Sequence, residues 1–294
     1  MTNNLSCIPF YNNLEEQDYR KWYAYGMKFQ HCVPCDYLVP FYVVIPKGYA
    51  KDKITLFNIC GEDLSESVNP IDIDSILEDN LFIVKDFDDY AIATYYAKPV
   101  TSANLDEGMY YLKIDFEDID ENVVSVYSDI FTVKTRASLS SMLKLEWWDN
   151  DNLVYDGGLI PYGEEQEGTK FKNEIWLDTT IGKPTYTFTE EGEERNGYFF
   201  PIKQLSEKVY NMGFLATEYL CDAMRIVRLS DFVRLTTSIE HWSSGTRTSV
   251  SEKVFDIEQF EMNVTWSDEG HYAEVDCAMQ TNTIVKKVGK VMTI

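Results

Sequence analysis

Positive charge and histidine are both scarce in this sequence. Its 294 residues include 26 Lys and Arg against 49 Asp and Glu, which gives a formal net charge of −23. Proteins that hold nucleic acid draw much of their affinity from Lys and Arg that displace counterions, so a nucleic-acid-binding surface is not expected. The three histidines, His31, His241 and His271, stand in no recognisable catalytic spacing and leave little for general acid-base chemistry.

Long hydrophobic runs are also missing. The longest covers residues 37–45 and is interrupted by Pro40, whereas a membrane-spanning helix needs about 20 apolar residues. The first basic residue is Arg20, so the start lacks the basic region of a secretory signal. We therefore expect no membrane association, and a protein that is kept in a cytoplasm or carried out in an assembly. Six cysteines in a chain of this length are too few for a disulfide scaffold and are expected to be reduced.

Sequence motifs for phosphate binding, metalloprotease chemistry and nucleophile elbows are absent. Paired carboxylates could serve glycoside hydrolysis, but a chain with 49 acidic residues brings such pairs together by chance. We therefore predict no enzyme activity, no cofactor, and no catalytic or metal-binding residues, with a glycosidase kept as a distant alternative.

The sharpest local motif is His-Cys-Val-Pro-Cys at residues 31–35. Two thiols separated by two residues can form half of a zinc site or a redox pair. A zinc site usually has a second such pair, and the other four cysteines are isolated in the sequence. We favour the interpretation that Cys32 and Cys35 are small packing residues beside a turn proline.

Aromatic residues are abundant, with 20 Tyr, 16 Phe and 6 Trp, and the hydrophobic pattern has a period of two. In residues 110–117, apolar side chains alternate with Lys113, Asp115 and Glu117, which is typical of a half-buried strand. Residues 124–134 are its predicted partner. Further strands are predicted at residues 37–45, 53–60, 81–85, 90–97, 143–147, 174–177 and 184–189.

This pattern predicts a mostly β fold: two β-sandwich-like domains with one short helix and an extended N-terminal arm. The arm covers residues 1–36, the first sandwich residues 37–136, and the second β-rich domain residues 142–294. A polar linker at residues 134–141 separates the domains, and the helix begins at Thr217 as its N-cap. A C-terminal hairpin is predicted from the alternation of residues 260–267 with residues 273–279, and residues 190–194 are predicted to form an acidic turn.

The pair Trp147 and Trp148 has two interpretations. Flat aromatic rings beside the amide and carboxylate groups of residues 149–152 are suited to a sugar-binding face. Alternatively, neighbouring residues in a strand point to opposite sides, so one ring enters the core and the other faces a protein partner. We favour the second interpretation because alternation alone accounts for the pair.

Several stretches resemble tail structural proteins of Bacteroides phages, in particular crAss-like podoviruses. They are residues 171–178, 190–197, 206–210 and 216–223, and residues 127–133 resemble the last strand of the sandwich in such proteins. The resemblance covers roughly residues 100 to 235. It implies a non-enzymatic subunit of the tail hub or of a tail ring, present in several copies in the virion and synthesised in the host bacterial cytoplasm.

We therefore expect a virion protein that acts by assembly with copies of itself and with other tail proteins, while DNA passes nearby without specific binding. The alternative is an adsorption protein at the tail tip that binds a host glycan or receptor. Aromatic residues of the arm and of the Trp pair are the candidate assembly contacts: Phe10, Tyr11, Trp22, Tyr23, Tyr25 and Trp148.

Overall fold

The computed structural model describes residues 6–12, 31–35, 38–58, 82–96, 105–155, 158–166, 168–195, 197–216, 218–243, 246–268, 272–281 and 285–288. These residues form a mostly β, sandwich-like protein, as the period-two pattern predicts. The strands in chain order are β1 (Phe10–Tyr11), β2 (His31–Pro34), β3 (Phe41–Pro46), β4 (Ala50–Asn58), β5 (Phe82–Asp86), β6 (Tyr90–Tyr95), β7 (Gly108–Glu117), β8 (Val123–Ser128), β9 (Phe131–Lys134), β10 (Leu143–Trp148), β11 (Leu153–Tyr155), β12 (Gly158–Ile160), β13 (Glu165–Gln166), β14 (Thr169–Lys170), β15 (Asn173–Leu177), β16 (Thr185–Arg195), β17 (Tyr198–Ala216), β18 (Phe232–Ser243), β19 (Thr246–Trp266), β20 (Ala273–Thr281) and β21 (Val285–Val288). The helices are α1 (Arg136–Leu139), α2 (Glu218–Arg225) and a 3-10 helix, Ile226–Leu229.

Before α1, two sheets pack face to face. One sheet has the order β3-β6-β5, and the other contains β7. The apolar face predicted for β7 is buried, but Tyr111 and Asp115 on its other face are buried too, so the strand is covered more fully than the half-buried strand that the sequence predicts. The rings of Phe82 on β5 and Phe116 on β7 lie 6.2 Å apart across the interior. Phe10 on β1 adds a ring 4.9 Å from that of Phe41 on β3. Burial of these large rings is the main stabilisation of this part of the chain.

Within the described part of the chain, the sheet that contains β7 has 14 strands and continues into the second half of the sequence. One edge of β7 pairs with β4, and the other edge pairs with β8 and then β9. β2 pairs in parallel with β9 and, through Cys32 opposite Trp176, antiparallel with β15. From β15 the sheet continues as β10, β18, β19, β20, β17 and β16. The predicted division into two domains stays a prediction, and β2 is the strand through which this sheet passes from one half to the other.

In the second half, one face of the sheet is covered by α2 and the 3-10 helix. Leu220, Met224 and Val227 from these helices are buried in the same core as Met212 and Phe260 of the sheet. The helix is where the sequence predicts it, with apolar residues at helical spacing on one side, and its predicted N-cap, Thr217, lies outside the described residues. α2 therefore acts as a brace on the sheet, because its apolar side packs against the core.

The predicted linker has more structure than its composition indicates. Thr135 caps α1, a single helical turn that the sequence pattern does not predict. The carboxylate of Glu107 accepts hydrogen bonds from the Thr135 backbone N–H, the Ser138 hydroxyl and the Thr135 hydroxyl, and these bonds lower the pKa of Glu107 to about 2. A side chain from before β7 thus fixes the segment that follows β9.

Two sequence predictions are corrected by the strand bounds. Residues 124–134 were expected to be one strand, but they form β8 and β9 with a break at Asp129 and Ile130, although both pair with β7. The acidic turn expected at residues 190–194 is strand, because β16 continues to Arg195. A run of glutamates is compatible with a strand when both of its faces are exposed to water, as they are here.

Candidate assembly surfaces

The most exposed part of the second half is a long antiparallel ribbon made by β16 and β17. Every described side chain from Thr185 to Glu194 is exposed. Beyond the last residue paired with β20, Val209, strand β17 runs out to Tyr198 with β16 on one edge. At about 3.3 Å per residue this extension is roughly 35 Å long. β21 pairs with part of its other edge, from Lys203 to Ser206. We call residues 185–208 the outer ribbon.

The exposed aromatic residues of the outer ribbon lie on the continuation of the core face. Tyr210 is buried opposite Met279, and Met279 is opposite the buried Phe260. Residues opposite each other in an antiparallel pair share a face, and so do residues two apart. Tyr186 lies opposite Lys208 and Phe188 opposite Ser206, so both rings lie on the Tyr210 face. Their exposed fractions are 58% and 75%, because no described residue covers the face here.

The far end of the outer ribbon is acidic. Glu190, Glu191, Glu193 and Glu194 stand together on β16. Within the ribbon, Gln204 Nε2 donates to Glu190 Oε1 over 2.7 Å, and Lys203 Nζ lies 3.7 Å from Glu191 Oε1. Both contacts are exposed, and exposed ion pairs add little stability. The ribbon is therefore held mainly by its backbone pairing.

A second ribbon, made by β18 and β19, extends from the same end of the sheet. Ile257 of β19 lies opposite Thr281, and Gln280, the residue before it, lies opposite Val209 of β17. Beyond Ile257, where the pairing with β20 ends, β19 continues to pair with β18 as far as Ser243 opposite Thr246. Two ribbons that project from one end of a sheet are suited to reach neighbouring molecules.

Trp148 lies on the opposite face of the sheet from the core. Its ring stacks on Phe232 with ring centres 5.5 Å apart and an interplanar angle of 11°. Lys172 Nζ lies 4.5 Å from the centre of the Trp148 ring, and the Arg234 guanidinium carbon 5.4 Å from it. Phe232 comes from the strand on one side of β10, and Lys172 precedes the strand on the other side. The indole is thus packed between neighbours of this chain.

The Trp pair alternates as predicted, with Trp147 fully buried and Trp148 half-buried on the outer face. The neighbouring Asp149 is also buried, accepts a hydrogen bond from the Asp231 backbone N–H, and has a pKa raised by burial. The two indoles and this carboxylate therefore do not meet on one surface. This arrangement does not form the sugar-binding face that the sequence left open.

The N-terminal contact residues are only partly described. Phe10 and Tyr11 are half-buried and form β1, where they pair with Ser128 and Tyr127 of β8. Their strand is part of the sheet, so these two side chains contribute to this chain's own packing. Trp22, Tyr23 and Tyr25 lie outside the described residues.

His31 and Cys32 of the motif at residues 31–35 are buried. Burial lowers the pKa of His31 to about 4 and raises the pKa of Cys32 to about 11. The thiolate needed to bind a metal or to attack a disulfide is therefore disfavoured. His31 and Cys32 line a cleft of about 650 Å³ together with Trp176 and Leu215. At neutral pH both of these groups are therefore uncharged.

Among the described residues, no group of three or more His, Cys, Asp or Glu side chains could hold a metal ion, and no helix is long and apolar enough to span a membrane. The sequence matches no protein-family model. It matches no curated protein.

The outer ribbon, with Tyr186, Phe188 and Tyr198 exposed, is the surface that sequence reasoning missed. The alternating Thr-Tyr-Thr-Phe-Thr run at residues 185–189 was its signal, since it predicts a strand with one aromatic face.

Proposed function

We propose that this protein is a structural subunit of a phage virion tail, in the tail hub or in a ring, and that it acts through protein–protein contacts around the DNA path. The sequence resemblance to tail proteins supports the location in a virion tail. The observation that carries the assembly role is the outer ribbon, where Tyr186 and Phe188 continue the core face into solvent. Large exposed aromatics on a projecting element are typical of an interaction site.

Two features support contact with protein over contact with a sugar. The rings of Tyr186 and Phe188 lie on a regular strand and are spaced for a neighbouring sheet or helix. Trp148 is already packed between Phe232 and Lys172 of the same chain. A sugar-binding indole needs an open face, and this ring already contacts Phe232 and Lys172.

The negative charge suits a subunit near the DNA path. With a net charge of −23, the surface repels phosphates over a Debye length of about 8 Å at physiological salt. A tail conduit has to let DNA pass without holding it. Carboxylates facing the path provide that property without a specific site.

The experiment is to locate the protein in purified virions and to measure its mass in solution. We expect antibody labelling on the tail, a fixed number of several copies per particle by quantitative mass spectrometry, and self-association or binding to other tail proteins by sedimentation. Absence from virions would refute the proposal. Specific retention on a host-glycan array by a strictly monomeric protein would favour the adsorption role instead.

A further inference from the structure

We infer that copies of this chain join head to tail by antiparallel pairing of β4 of one copy with β16 of the next. This inference rests on the proposed assembly function and names the contact. A contact between two different strands is heterologous, so repeated use of it closes a ring or extends a filament.

Both strands lie at the ends of the same sheet. The pairing path runs from β4 through β7, β9, β2, β15, β10, β18, β19, β20 and β17 to β16. Among the described residues, β4 pairs with β7 alone and β16 pairs with β17 alone. The lengths match, with nine residues in β4 and eleven in β16. A long end strand presents backbone N–H and C=O groups that another strand can pair with.

The two strands carry opposite charge. β16 has four glutamates and Arg195, a net of −3, and the glutamates begin at Glu190 in its second half. β4 has Lys51 and Lys53 against Asp52, a net of +1, all in its first half. Antiparallel pairing places the first half of one strand opposite the second half of the other. It therefore brings the lysines of β4 to the glutamates of β16, whereas parallel pairing does not.

The second half of β4 and the first half of β16 also match each other, because neither contains a charged residue. Residues 185–189 of β16 present Tyr186 and Phe188 on one face, and residues 54–58 of β4 include the half-buried Ile54 and Phe57 on opposite faces, so one of these two can share the face of the β16 rings. In the antiparallel arrangement these halves lie opposite each other. Pairs of aromatic and β-branched residues across neighbouring strands are favourable, so the same orientation satisfies both halves.

The test uses charge reversal in the full-length chain. Lys51→Glu with Lys53→Glu makes both end strands acidic, and Glu190→Lys with Glu194→Lys makes both basic. Glu191 is left unchanged because Lys203 of the same ribbon lies beside it, whereas the partner of Glu190 is the uncharged Gln204. The matched control is Glu258→Lys with Glu261→Lys, two exposed residues on the interior strand β19. Circular dichroism and thermal unfolding verify that each variant is folded, and sedimentation velocity at low salt measures association.

We expect each reversal alone to weaken self-association on the order of tenfold at low salt, while the control pair behaves as wild type. An equimolar mixture of the two reversed proteins should associate again, because each acidic strand then meets a basic one, and it should give alternating assemblies with equal numbers of both. Combining both reversals in one chain should restore association as well.

The inference is overturned if the folded Lys51→Glu, Lys53→Glu variant associates as wild type, as a β16-to-β16 dimer would, or if association of the mixture is not restored. In either case wild-type assembly persists, so the proposed function stands. A wild-type protein that is monomeric and absent from virions would instead overturn both.

Discussion

Strand β17 has an inner part whose apolar face is buried and an outer part whose apolar face is exposed. In the inner part, residues 209–216 pair with β20 within the sheet that α2 braces, and Tyr210, Met212 and Ala216 are buried. In the outer part, residues 198–208 pair with β16, and the same face exposes Tyr186 and Phe188. The alternation is continuous across both parts. What changes is only whether the chain itself covers the face, so the pattern identifies an apolar face but not its partner.

The largest effect on stability is expected at Trp147 of β10, which is buried in the core, in contrast to the exposed rings of the outer ribbon. Trp147→Ala should lower the free energy of unfolding by about 3 to 5 kcal/mol, because the indole is fully buried. Trp147→Phe should cost less, since it also removes a buried indole N–H that has no partner among the described residues. Urea unfolding measures both. A loss below about 1 kcal/mol for the alanine variant would contradict the packing described for this sheet.

The second-largest effect is a dependence of stability on pH, and it comes from the buried His31. Burial lowers the pKa of His31 from 6.5 to about 4, so between these values the unfolded chain binds a proton that the folded chain does not. Stability is therefore full above pH 6.5 and falls by on the order of 3 kcal/mol as the pH drops to 4. Unfolding of His31→Gln should show a smaller loss over the same range. An unchanged slope would show that His31 is not the group responsible.

Trp148 lies between the two extremes. Trp148→Ala removes the stacking on Phe232 and the contacts with Lys172 and Arg234, and should cost about 1 to 2 kcal/mol of stability. Sedimentation should show unchanged self-association, because the ring is used within the chain. If the variant kept its stability but no longer assembled, the ring would be an assembly contact, as the sequence first indicated.

The smallest effect on stability is expected at the outer ribbon. Phe188→Ala should change the free energy of unfolding by less than about 0.5 kcal/mol, because the ring is 75% exposed. It should nevertheless weaken association by about fivefold or more, the range of an interface anchor. Phe232→Ala, a partly exposed ring away from the ribbon, is the control and should leave association unchanged. A large loss of stability in Phe188→Ala would mean that the ring is covered.

The sequence allowed the fold class, most strands, α2 and the C-terminal hairpin to be predicted, because each rests on local periodicity. It also allowed the opposite orientations of Trp147 and Trp148 to be predicted. The length of β16 was missed because Glu190 to Glu194 resemble a solvated turn, and a strand exposed on both faces has no alternation to detect. α1 was missed because its support comes from Glu107, which is distant in sequence. Which apolar face stays uncovered depends on tertiary packing and could not be predicted.

The position of β2 has a consequence for the order of folding. His31 pairs with Phe131 and Cys32 with Trp176. β2 is therefore synthesised early but can pair only after its partner strands β9 and β15 have left the ribosome. Pairing between such distant segments is slow, and an open strand edge invites aggregation during the delay. A nascent chain that has passed residue 134 can complete one side of β2, but the other side stays open until residue 176 is available. Premature termination between these points should therefore yield a product that is prone to aggregation.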